Sequence, residues 1–143
     1  MMQPGSTLAT LSALLLAVLL VGCGGDSHEK ASEEVRREMD RFFAVMGSVK
    51  DEAGARAAGA EIDEILAKLD GLAQRYEAMG EPDEETRKKI AEQMARFSDE
   101  KQQAYEAGGN EFGSAGPEVI AIMMDYMKRF SEVLGRMPPY VFE

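Results

Sequence analysis

Residues able to carry out catalysis are few in this chain of 143 residues, which contains one histidine, His28, and one cysteine, Cys23. Nucleophilic catalysis of the Ser/His or Cys/His type requires a base beside the nucleophile, and His28 lies in a short stretch of small and polar residues. Chance carboxylate pairs are expected among 26 acidic residues, and no pair stands out as a general acid and base. We therefore expect no catalytic residues and no enzymatic activity.

Residues able to bind a metal ion or a cofactor are also few. A di-iron bundle needs two Glu-x-x-His pairs, and a covalent c-type haem needs Cys-x-x-Cys-His. One histidine and one cysteine supply neither, so we expect no cofactor, and we interpret His28 as a solvated residue. Among ten methionines, Met123 and Met127 stand one helical turn apart beside Met124, a spacing that suits Cu(I). Methionines on an apolar helical stripe more often fill a core, so no metal site is assigned.

The first 25 residues differ from the rest of the chain because they contain no charged side chain. Residues 8–21 form an apolar run interrupted only by Thr10 and Ser12. About 14 residues are too few for a membrane-spanning helix but are typical of the apolar region of an export signal. The segment that precedes the run lacks the usual Lys or Arg. We predict a signal peptide over residues 1–22.

The run ends in Leu20-Val21-Gly22-Cys23, which resembles the lipobox of bacterial lipoproteins. The resemblance implies that the Cys23 thiol receives a diacylglyceryl group and that a signal peptidase cuts between Gly22 and Cys23. The protein would then be held on a membrane of the bacterial envelope by lipid. Glycines rather than Asp follow the cysteine, which by resemblance to the lipoprotein sorting rule favours the outer membrane, facing the periplasm.

The remaining chain divides into a predicted lipidated tether, residues 23–31, and a helical domain, residues 32–143. Ser32 is the predicted cap of the first helix. Apolar residues at spacings of three and four predict helices in four places. Gly80 is predicted to cap the end of the second helix, Pro82 to lie in the first turn of the third, and Pro117 to open the fourth. These four stripes run from Val35 to Val49, from Ala58 to Met79, from Ile90 to Tyr105 and from Val119 to Met137.

Strand patterns are almost absent, so the predicted class is all-α: an antiparallel bundle or extended hairpins of about four helices. The helical pattern and the Gly80-Glu81-Pro82 joint resemble uncharacterised small helical lipoproteins of bacteria, a resemblance that implies no activity. A net charge of -10 opposes binding to nucleic acid or to anionic headgroups.

The fourth stripe is the most apolar and covers more than half of its helix, and an apolar tail follows it. These features favour a non-enzymatic binding or scaffolding module that contacts another envelope protein, with a homo-oligomer left open. Burial in the protein's own core is the competing interpretation of each residue. A small-ligand carrier, a Cu(I) carrier or a chaperone-like protein is the alternative function. The candidate contacts are Tyr126, Met127, Phe130, Tyr140, Val141 and Phe142.

Overall fold

The computed structural model describes residues 27–108 and 115–143. In these residues the chain forms four long α-helices, one short α-helix and a C-terminal 3-10 turn, without any β-strand. The all-α prediction is confirmed. The elements are α1 (His28–Ser48), α2 (Glu52–Ala57), α3 (Gly59–Met79), α4 (Glu84–Gly108), α5 (Pro117–Leu134) and the C-terminal turn (Pro139–Val141).

Helix α1 begins five residues earlier than the sequence predicts. The Ser27 hydroxyl caps it by accepting a hydrogen bond of 3.1 Å from the Lys30 amide. His28 is therefore helical rather than part of a tether, and its Nε2 lies 2.8 Å from the carbonyl oxygen of Gly80. Ser32, the predicted cap, is fully buried inside the helix. The prediction was wrong here because the first turn is held by tertiary contacts that leave no apolar periodicity in the sequence.

The other helix ends follow local chemistry. Asp51 caps α2 by accepting a hydrogen bond of 2.7 Å from the Gly54 amide. Asp83 caps α4 in the same way through the Thr86 amide, which lowers the pKa of the Asp83 carboxyl. Helix α4 thus begins two residues after Pro82, whereas the sequence predicted Pro82 in its first turn. Gly80, at φ 71°, ends α3 in a conformation that favours glycine.

Ion pairs show how the helices run. Arg75 pairs with Glu34 at 2.8 Å, and Arg41 pairs with Glu61 at 3.3 Å, so α1 and α3 are antiparallel. Helix α4 packs on the other side of α1, and α5 packs on α3. The four long helices therefore lie in the order α4, α1, α3, α5. Among residues 27–108 and 115–143, helices α4 and α5 make little contact with each other, and this part of the chain leaves one side of the bundle open.

The core is continuous and extends from α1 to the C-terminal turn. Helix α3 contributes a fully buried row that includes Ile62, Ile65 and Leu69. At the end of the bundle where α3 stops, the ring of Tyr140 lies 6.0 Å from that of Tyr76, and the Arg87 guanidinium lies 5.5 Å from the Tyr140 ring. Tyr140 and Val141 of the apolar tail are thus covered by the protein itself, and they close this end of the bundle.

Candidate binding groove

A groove of about 1030 Å³ occupies the open side of the bundle. Its floor is the last two turns of α1, including Phe43, Ala44 and Met46. One wall is the end of α4, with Ala104 and Tyr105. The other wall is the first half of α5, which presents Ile120, Met123, Met124 and Met127.

The groove gathers most of the exposed apolar surface of the described residues. Six large apolar side chains are exposed in residues 27–108 and 115–143, and five of them line the groove. Met124 is the most exposed of these, at 67%. Contiguous apolar surface on a soluble domain usually marks a place of contact with another molecule. The five are Phe43, Tyr105, Ile120, Met124 and Met127.

An aromatic cluster fixes the floor of the groove against α5. The rings of Phe42 and Phe130 are stacked with their centroids 3.9 Å apart, and both rings are buried. Phe43 meets the edge of Phe130 at 5.8 Å while keeping part of its own ring exposed in the groove. Stacked and edge-to-face rings of this kind restrict how the two helices can slide. The relative position of the floor and this wall is therefore set by the core below them.

Tyr126 fixes the other side of α5. Its hydroxyl is buried and donates a hydrogen bond of 2.7 Å to the carbonyl oxygen of Ala55 in α2. Gly59, at the start of α3, provides the space, because a Cβ there would lie 3.1 Å from the Tyr126 oxygen. Arg129 adds an ion pair of 2.5 Å to Asp63, and hydrogen bonding to Asp63 is the main cause that raises the pKa of this guanidinium. These contacts turn Ile120, Met124 and Met127 toward the groove.

The lining of the groove carries no net charge. Its two charged residues, Asp40 of α1 and Lys101 of α4, form an ion pair with each other. The Lys101 ammonium also lies 5.3 Å from the centroid of the Phe97 ring. The groove therefore offers methyl, thioether and aromatic groups with no unbalanced charge, which suits an uncharged apolar surface.

The candidate contacts from the sequence divide into two groups. Tyr126, Phe130, Tyr140 and Val141 are buried in the protein's own core, which makes them unavailable to a partner and corrects the prediction for these four. Met127 and Phe142 are exposed, at 44% and 40%, and Met127 lines the groove. Phe142 directly follows the C-terminal turn, at the opposite end of the bundle.

Four groove residues were missed by the sequence analysis: Phe43, Tyr105, Ile120 and Met124. A signal existed in α5, whose apolar residues cover more of the helix than one core-facing stripe needs. Gly22 and Cys23, the predicted cleavage and lipidation residues, lie outside the described residues.

In the described part of the chain, no group of three or more His, Cys, Asp or Glu side chains is placed to hold a metal ion. Nor does any helix of residues 27–108 and 115–143 have the length and hydropathy needed to cross a membrane. The chain matches no protein-family model, and no match was found among curated proteins or solved structures.

Proposed function

We propose that this protein is a bacterial envelope lipoprotein, held on the outer membrane by lipid on Cys23, whose helical domain is a non-enzymatic binding module. The groove between α4 and α5 is its contact site for another envelope protein. The anchor rests on the lipobox-like residues Leu20-Val21-Gly22-Cys23 and the apolar run before them. The binding role rests on the groove.

One observation supports the binding role above all. The domain has a filled, continuous core, and yet five large apolar side chains remain exposed together beside it. Tyr140 and Val141 show that this chain can cover apolar residues with its own tail. Apolar surface left open next to a complete core costs solubility and is best explained by a partner.

The distance of the groove from the anchor favours a protein partner over the membrane surface. The groove floor at Phe43 lies fifteen residues into α1, or about 22 Å along the helix axis from His28. The four residues between Cys23 and His28 add up to about 17 Å of reach. A groove at the far end of the bundle is thus well placed to meet proteins in the periplasm.

A matched pair of variants in α4 tests the binding role. Ala104→Glu places a charge in the groove, whereas Gln103→Glu places the same charge about 100° around the same helix, outside the groove lining. Both residues are exposed. Crosslinking and pull-down of the lipidated protein from native membranes should recover a recurrent partner with the wild type and Gln103→Glu. The partner should be lost with Ala104→Glu. Absence of any recurrent partner would contradict the proposal.

The anchor is tested separately by Cys23→Ser. We expect the variant to lose processing after Gly22 and to leave the lipid-modified fraction, which metabolic labelling with a fatty acid measures. A variant that is still labelled and cut at the same place would refute the lipobox interpretation.

A Cu(I) carrier is the second candidate, because four thioethers meet in one groove: Met46, Met123, Met124 and Met127. Soft thioether ligands select Cu(I) over divalent metals. Titration with Cu(I) under reducing conditions should then show binding that is weakened at least tenfold by replacing Met123 and Met127 with Leu. Equal affinity in the wild type and the double variant would remove this candidate.

A further inference from the structure

We propose that Met124 and Met127 form a methionine oxidation site, at which conversion of the two thioethers to sulfoxides makes the groove polar and prevents it from binding its partner. This inference rests on the proposed function, because it assigns a regulation to the same groove.

Methionines differ widely in exposure over residues 27–108 and 115–143, which contain eight of the ten in the chain. Within these residues only Met124 and Met127 are exposed, at 67% and 44%, and both line the groove. An oxidant reaches an exposed thioether directly, whereas a buried one requires a local opening of the structure. The other six are buried or packed against the core: Met39, Met46, Met79, Met94, Met123 and Met137.

Peroxides are the oxidants of this site. The thioether sulfur donates an electron pair to one oxygen of hydrogen peroxide, so that an S–O bond forms and the O–O bond breaks. The proton on the transferred oxygen passes to the departing hydroxide, which becomes water, and the sulfur is oxidised by two electrons to a sulfoxide. The step needs no catalytic residue of the protein.

Two sulfoxides would change what the groove can bind. Its side chains are apolar except for the Asp40 and Lys101 ion pair and the hydroxyl of Tyr105. In the free protein the new oxygen atoms stay hydrated, because Met124 and Met127 are exposed. An apolar partner surface would have to remove that hydration, so each sulfoxide should weaken binding by about tenfold.

The fold should survive the oxidation. Helix α5 is held by the buried ring of Phe130, stacked on Phe42, and by the Tyr126 hydroxyl, so none of its main contacts depends on the two exposed thioethers. The same contacts prevent α5 from turning the sulfoxides away from the groove. Oxidation therefore alters the groove alone, and methionine sulfoxide reductases can restore it.

Peroxide treatment of the full, lipidated chain in native membranes tests the oxidation site. Mass spectrometry of peptides measures the sulfoxide fraction at each methionine over time, and fragmentation distinguishes Met123 from Met124. We expect sulfoxides at Met124 and Met127 to form at least about tenfold faster than at Met46 and Met123. The latter two line the same groove but are buried, which makes them internal controls.

Crosslinking and pull-down from the same membranes test the effect on binding, with each protein compared with itself before peroxide. Partner recovery by the wild type should fall by at least about tenfold and return after incubation with methionine sulfoxide reductases of both stereochemical classes. The control is the double variant Met124→Leu and Met127→Leu, whose side chains are apolar and of similar volume but cannot form sulfoxides. Its recovery should not fall, although the partner meets the same peroxide.

The other outcomes each contradict a definite step. Equal rates of sulfoxide formation at exposed and buried methionines would refute the oxidation site. Unchanged recovery once Met124 and Met127 are oxidised would refute the effect on binding, as would an equal fall in the wild type and the double variant. These three results would leave the binding role intact. Absence of a recurrent partner before peroxide is added would overturn the inference together with the proposed function.

Discussion

The contact between Tyr126 and Gly59 gives the sharpest test of how α5 is held in place. In the wild type, adding a methyl group by Gly59→Ala brings a carbon to 3.1 Å from the Tyr126 oxygen, which must then move away from the Ala55 carbonyl. Alanine in place of glycine at the first position of a helix, where the backbone suits alanine, stabilises the protein by about 0.4–1 kcal/mol. Loss of the buried hydrogen bond costs about 1 kcal/mol or more. The two effects oppose each other, so Gly59→Ala alone should stabilise the protein little or destabilise it.

The effect of Gly59→Ala on the free energy of unfolding should become clearly stabilising when the Tyr126 hydroxyl is absent. In a Tyr126→Phe background the atom nearest to the new methyl group is the ring carbon Cζ at 4.0 Å, an ordinary contact distance. Gly59→Ala should then stabilise the protein by about 1 kcal/mol, so the two substitutions should show a coupling energy of about 1 kcal/mol. Gly71→Ala is the matched control, because it lies in the same helix and a Cβ there meets no atom within 4 Å. It should add about 1 kcal/mol in both backgrounds.

Urea unfolding followed by circular dichroism measures these free energies. A chain that starts at Gly24 is suitable, since the core of the described residues lies between Ala31 and Val141. Equal stabilisation by Gly59→Ala with Tyr126 and with Phe at this position would refute the reasoning. It would mean that the hydroxyl is not fixed on Ala55.

Three further predictions concern single residues. Phe130→Ala should lower the free energy of unfolding by about 3–5 kcal/mol in urea titration, whereas Met127→Ala, half exposed in the groove, should cost under about 1 kcal/mol; similar losses would contradict the assigned orientation of α5. Burial raises the pKa of Tyr76 to about 12. The stability that the buried neutral hydroxyl contributes is therefore fully present below about pH 10 and is lost as the pH rises from about 10 to 12. Over that range the wild type should lose up to about 3 kcal/mol more stability than Tyr76→Phe. If both proteins lose stability equally as the pH rises, Tyr76 is hydrated. His28→Ala should free the first turn of α1 by removing the contact with Gly80, seen as hydrogen exchange at residues 30–34 faster by about fivefold or more; unchanged exchange would mean that the Ser27 cap suffices.

Much of the fold was predictable because helices in this chain obey local rules. Periodic apolar residues identified all four long helices, and Gly80 and Pro117 stand at helix ends as the sequence indicated. The first turn of α1 was missed because its stabilising contact is between His28 and Gly80, which are 52 residues apart. A pattern within a few helical turns of the sequence cannot predict such a contact.

The candidate site was only partly predictable. Met127 was identified from the apolar character of α5, but Tyr126 and Phe130 were assigned to the same surface although they are buried. Along a helix these three residues are so close that periodicity alone cannot say which of them faces the core. Phe43 and Tyr105 come from helices whose sequences gave no sign that they line one groove together with α5.

By itself the sequence determined the helical class, the helix ends that depend on glycine and proline, and the shortage of catalytic and metal-binding residues. Those properties depend on residue type and on spacing within a few helical turns, so they can be predicted without knowing which helices pack together. Only the tertiary structure decided that Tyr140 and Val141 are buried and that an apolar groove stays open between α4 and α5. A stripe of apolar residues requires burial, but the packing of the other helices decides which part of it is buried.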